Sequence, residues 1–156
     1  MIQRVQTIYL ALVFILIAIM LFLPVVVFHA GDVVFYMNIF RFEGIENLAF
    51  AEQLPNIWPL PIFGGFLGII SLVSIFRYNN RKQQMFINMI ALMFNFALLA
   101  GIFLFADNVA AFEEVNNKVI YDVAAYFPII TVLLLILANR NIRKDEKLVK
   151  SADRLR

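Results

Sequence analysis

The chain has 156 residues, of which 63% are apolar, 15% aromatic and 15% charged, with a formal net charge of +2. A soluble domain is about 45–50% apolar, and one of this length has no core large enough to hide the excess, so the chain needs lipid as part of its solvent. With no cysteine, disulfides, thiolate metal centres, iron–sulfur clusters and thiol nucleophiles are excluded.

A hydrocarbon core of about 30 Å takes about 20 helical residues to cross. The first stretch of that length, Ile8–Phe28, follows a single charge, Arg4. Its apolar run is too long for a signal peptide and no small-x-small cleavage site follows, so it reads as a retained anchor in which Pro24 kinks or ends the helix. His29, the only histidine, stands beside Asp32, and this pair is too little for a metal site.

The longest polar segment, residues 29–57, contains a strand over Asp32–Phe42, rich in β-branched and aromatic residues on both faces. Its exposed edge calls for a partner, either Ile45–Phe50 across the Glu43-Gly44 turn or Lys118–Tyr121 after the Asn116-Asn117 turn.

The second span, Trp58–Phe76, carries Gly64, Gly65 and Gly68 and then Ser71 and Ser74. Gly64-x-x-x-Gly68 is a small-residue pattern that lets helix backbones approach, and Ala97-x-x-x-Gly101 offers a matching face on the third span. Packing within the chain is the first use of such a stripe and self-association the second. No histidine or lysine lies at a depth that could activate either serine as a nucleophile.

After the short loop Arg77–Gln84, the third span, Met85–Ala106, holds Asn88 and Asn95 seven residues apart on one face. Such amides bond between helices, and a polar ligand cavity around them is the alternative use. No span has an ionisable residue near its centre, which removes the usual mark of a proton relay or ion path. Asp107, Glu113, Glu114 and Asp122 then form a solvated acidic loop, with no metal expected. The fourth span, Val119–Ala138, is interrupted by Asp122 and Pro128, so its first part is expected to be extended or irregular.

The tail, residues 139–156, suits a helix continuing from that span, with apolar positions among Arg140, Arg143, Lys144, Lys147, Lys150, Arg154 and Arg156. It can lie along anionic headgroups or dock a cytoplasmic partner. Without an aromatic side chain it has no stacking platform for nucleic acid, and none is expected. These cations fall on one side of the four spans together with Arg4, Arg77, Arg81 and Lys82, leaving only Arg41 and Lys118 on the other. Both termini are therefore expected in the cytoplasm. The expected fold is an all-α membrane protein: one domain over residues 1–156, a four-helix transmembrane bundle with a small β element outside and a helical cytoplasmic tail.

Residues Met1–Thr7, Ser74–Gln83 and Ala138–Arg156 together resemble a family of small inner-membrane proteins of Bacteroidota, a domain of unknown function. The resemblance implies four spans and a bacterial inner membrane, and brings no activity, cofactor or catalytic residue. The plan with a strand-bearing first outer loop is also similar to the claudin type of architecture, without that loop's cysteine pair. This likeness of fold transfers no function. A chain rich in packing devices and poor in chemistry is expected to be a non-enzymatic accessory or structural subunit of an inner-membrane complex, for instance in protein export or envelope biogenesis. The alternative is a small-molecule or lipid carrier or sensor with a polar cavity at Asn88 and Asn95. Membrane lipids, a larger membrane complex and a second copy are the expected partners.

Overall fold

The structure is a computed structural model and describes residues 3–153 apart from Asp32, Asn47, Ala49, Glu114 and residues 116–118. The Asn116-Asn117 turn expected from the sequence, and Asp32, Glu114, Lys118, Arg154 and Arg156, lie outside the described residues. The chain is mostly helical, with four α-helices and a small antiparallel sheet: α1 (Gln3–Met20), β1 (Val26–Ala30), β2 (Val33–Met37), β3 (Phe42–Glu43), α2 (Pro59–Phe76), α3 (Arg81–Ala110), β4 (Val119–Tyr121) and α4 (Phe127–Asp153). Short 3₁₀ turns at Ala51–Gln53 and Val123–Tyr126 lead into α2 and α4.

The first difference from the sequence reading is at the end of α1. Pro24 forces the residue before it towards extended backbone, and the β-branched run Val25–Val27 then favours a strand. The helix stops at Met20, short of the Phe28 expected, and Val26–Ala30 pairs as β1. β1 is the missing partner of the loop strand: Val26 faces Met37 and Ala30 faces Val33 across a tight turn in which Gly31 has φ +57°.

The sheet order is β3-β2-β1-β4. The described part of the expected Lys118–Tyr121 stretch, Val119–Tyr121, thus forms β4 on the far edge of β1, not beside the loop strand, with Val26 opposite Tyr121. The described residues of Ile45–Phe50 form no strand; Phe42–Glu43 pairs back on β2 instead, just before Gly44. Gly44 is required there, since its φ is +80° and a Cβ would lie 3.1 Å from the Val34 carbonyl oxygen.

Period-two alternation gives the sheet one buried face. Val26, Phe28, Phe35 and Met37 are buried, while Val34 and Tyr36 are exposed. Phe28 stacks on Phe35 at 5.0 Å between ring centroids, Phe35 meets the edge of Phe50 at 6.0 Å, and Phe50 stacks on Phe112 at 5.3 Å, just past α3. The sheet is thereby fixed to one end of the helices.

The helices form a ring in which α1 and α3 each pack against both α2 and α4. Buried positions recur every three or four residues, as Gln6, Leu10, Val13 and Ile17 on α1 and as Leu60, Gly64, Leu67, Gly68, Ser71 and Ser74 on α2. The opposite faces are apolar too: Ile69, Met93 and Leu104 are 60%, 72% and 63% exposed. A surface of this kind suits lipid and not water. Pro59–Phe76, Arg81–Ala110 and Val123–Leu148 are long and apolar enough to cross a membrane, whereas the apolar helical stretch of α1, Val5–Met20, is shorter.

Two helix starts differ from the sequence reading. α3 begins at Arg81, before Met85, because the Asn80 side chain caps it by accepting from the Gln83 backbone N–H at 3.2 Å. α4 begins only at Phe127, after β4 and a turn capped by the Asp122 carboxylate on the Val123 N–H at 2.7 Å. It then runs unbroken to Asp153, so span and tail are one helix.

Candidate functional site

Polar residues on the buried faces join the helices at two levels. At the end of the ring away from the sheet, the Ser74 hydroxyl donates to the Asn88 side-chain carbonyl, and the Asn88 amide donates to the Asn139 side-chain carbonyl at 3.0 Å. The Gln84 amide donates to the Ser74 backbone carbonyl at 3.0 Å. That carbonyl lies in the last turn of α2 and also accepts from the Arg77 backbone N–H at 3.3 Å. Nearer the sheet, the Asn95 amide and the Thr131 hydroxyl both donate to the Pro128 carbonyl at 2.9 Å. Pro128 is tolerated in the first turn of α4, where its N–H would have no helical acceptor. The Ser71 hydroxyl bonds back to the Leu67 carbonyl at 2.8 Å. Gln6 Oε1, Gln84 Oε1 and Asn95 Oδ1 are buried without a hydrogen-bond partner.

The glycines of the small-residue stripes do not meet one another. A Cβ on Gly101 would lie 2.8 Å from Leu60 Cδ2, so α3 approaches α2 one turn before Gly64. A Cβ on Gly68 would touch Phe14 and Ile17 of α1 at ordinary distances, and Cβ atoms on Gly64 and Gly65 would find nothing within 4 Å.

The basic residues divide into two sets. Arg77 and Lys82 are exposed where α2 turns into α3, beside Arg81, whose Nη1 is buried and unpartnered. Arg140, Arg143, Lys144 and Lys147 line a groove of about 830 Å³ along the surface of α4, and Lys150 follows further along the helix. Ile136, Leu137, Asn139 and Asn141 complete the α4 wall, Met89 and Leu92 come from α3, and Tyr9 comes from α1. Helical spacing places Ile136, Asn139, Arg140, Arg143 and Lys147 on one strip and Leu137, Asn141 and Lys144 on the next. The Asn88–Asn139 bond sets the level of α3 against α4. Towards the sheet from it the lining is apolar, Met89, Leu92, Ile136 and Leu137; away from it four cations stand within two turns.

At the sheet end, Asp107 and Glu113 are exposed, and no three His, Asp or Glu side chains among the described residues gather into a metal-holding group. Burial first, and the Asp107 carboxylate second, push the Tyr121 phenol above its ordinary value of 10.0. The Tyr121 ring lies 5.2 Å from Phe103.

The sequence marks Asn88 and Asn95 but not the groups on α4 that they bond, the Asn139 side chain and the Pro128 backbone carbonyl, nor the buried Gln6, Gln84, Thr131 and Asp145. Periodicity holds a signal for Gln6, one turn before Leu10, and for Asp145, three residues after Ile142, each continuing a buried stripe.

A model of a family described as a domain of unknown function, DUF4293, matches residues 2–155 of the chain. No curated protein matches it.

Proposed function

The chain belongs to this family of unknown function, and on that premise we propose that it is a non-enzymatic accessory or structural subunit of a complex in the bacterial inner membrane. It crosses the bilayer four times with both termini in the cytoplasm and meets its partner through the basic end of α4. One observation carries this reading: buried amides and hydroxyls are spent on joining α2, α3 and α4, while α4 continues past them with Arg140, Arg143, Lys144 and Lys147 exposed. A site for chemistry would hold an activated nucleophile or an acid–base pair in a cleft, and the groove presents only cations, amides, a tyrosine and apolar side chains.

Four spans are supported by the length of α1, whose 18 residues rise about 27 Å, close to the roughly 30 Å hydrocarbon core. Phe22, 84% exposed just beyond it, extends its apolar surface. The cations at the end away from the sheet support the orientation, and export or envelope biogenesis is the kind of assembly we have in view. A carrier with its cavity at Asn88 and Asn95 draws less support, since both amide NH₂ groups are already bonded to α4.

The test is gentle detergent extraction of the tagged protein from its native membrane, with co-purifying proteins identified by mass spectrometry. Alongside it runs a variant carrying Arg143→Gln, Lys144→Gln and Lys147→Gln, all exposed positions. A stoichiometric partner that is lost in the variant is expected. If wild-type protein brings down no reproducible partner, even after crosslinking in intact cells, the subunit reading fails.

A further inference from the structure

The groove on α4 has two chemically different halves stacked along the membrane normal. Ile136 and Lys147 are eleven residues apart on one strip, which is about 16 Å of helix rise. The lower half is built from Met89, Leu92 and Ile136 and lies within stretches apolar enough to be in hydrocarbon. The upper half holds Arg140, Arg143, Lys144 and Lys147, and the two acids of the segment, Asp145 and Glu146, do not line it. Asn139 and Asn141 add amide groups at and just above the junction.

A soluble anion or an acidic peptide would use only the upper half and leave the apolar strip without a function. A neutral lipid would use only the lower half. A phospholipid with a net negative headgroup fits both: arginine forks match phosphate oxygens, and basic pockets between membrane helices at the headgroup level select anionic lipids. The stems of Arg140 and Arg143 can lie along the apolar wall while their guanidinium groups reach outward.

We propose that this groove is a binding site for one anionic phospholipid, its phosphodiester held by Arg140, Arg143 and Lys147 and an acyl chain laid along Met89, Leu92 and Ile136. The inference needs only that the helices lie in a membrane; it goes beyond the subunit reading, and either can fail without the other.

The purified full-length protein in detergent is offered phosphatidylglycerol or phosphatidylcholine with identical acyl chains, and bound lipid is counted by native mass spectrometry. Wild-type protein should retain phosphatidylglycerol over phosphatidylcholine by about tenfold or more. The variant Arg140→Gln/Arg143→Gln/Lys147→Gln should lose the preference, and the control Arg77→Gln/Lys82→Gln, changed at exposed cations outside the groove, should keep it. Excess glycerol phosphate, the headgroup chemistry without chains, should not displace the lipid. No preference in wild-type protein overturns the site, and so does an equal loss in the control, which would reveal diffuse attraction to the whole basic end. Full displacement by glycerol phosphate also overturns it, since a soluble anion would then be the ligand. The wild-type and displacement measurements decide the matter even if the triple variant fails to fold.

Discussion

Asn88 and Asn95 have the same chemistry on the same helix and different consequences. Asn88 is both acceptor and donor, so replacing it with alanine strands the Ser74 hydroxyl and the Asn139 side-chain carbonyl together. Asn95 makes one bond, and its Oδ1 is already unpartnered. An interhelical bond of this kind is worth about 0.6–2 kcal/mol in a membrane. Asn88→Ala should therefore lower thermal stability in detergent by more than Asn95→Leu, which relieves one unsatisfied oxygen as it removes one bond. Equal losses would mean that burial and not bonding sets the cost. The glycines give a second contrast. Gly101→Ala drives a methyl group into Leu60, which is fully buried, and should destabilise by about 1–3 kcal/mol. Gly64→Ala meets open space and removes a helix-weakening glycine, so its unfolding temperature should hold or rise. At this scale, sequence reveals which side chains are out of place in hydrocarbon, because an amide there is conspicuous. It does not reveal their partners, because Asn139 is 51 residues from Asn88 and only the packing of α3 on α4 brings them together.

Among the elements, the long helices were legible from hydropathy and β1 was not. An uninterrupted apolar run reads the same whether it is helix or buried strand, and Val25–Phe28 differs from the residues before it only in β-branching and in following Pro24. The loop strand was legible because alternation has its own period, and the face carrying Phe35 and Met37 is the buried one. The tail illustrates a further point: the part of α4 beyond Ala138 is basic in composition yet structural in part. Asn139 bonds Asn88, while Ile142 and Asp145 are buried. A chain ending at Ala138 should lose thermal stability and yield, while the exposed-charge variant Arg143→Gln/Lys144→Gln/Lys147→Gln should match wild type in an unfolding scan. Truncation is thus the wrong tool for locating a partner, and charge substitution is the right one.

For the molecule as a whole, the absence of cysteine makes any introduced thiol unique. Under the proposed orientation, Tyr36→Cys on the exposed face of the sheet should react with a membrane-impermeant maleimide added outside spheroplasts, and Lys144→Cys should react only after lysis. The reverse pattern would invert the topology and move the groove to the other leaflet. Charge bias is what the proposed orientation rests on; the groove was not readable from sequence, since its cations were all visible but its apolar half comes partly from Met89 and Leu92 on another helix.

The unbroken course of α4 has a mechanical consequence. Its first turn is fastened through Asn95, and the strand just before it is clamped to β1 and tied by the Asp122 N–H to the Val25 carbonyl at 3.0 Å. From there 27 residues of helix, about 40 Å, run to the basic end with no glycine, and no proline beyond Pro128 in the first turn, to act as a hinge. A helix of that kind behaves as a stiff rod anchored at one end, so a load applied beyond Lys147 is delivered to the sheet at the far end of the helices, across the membrane under the proposed topology, and is not absorbed by bending along the way.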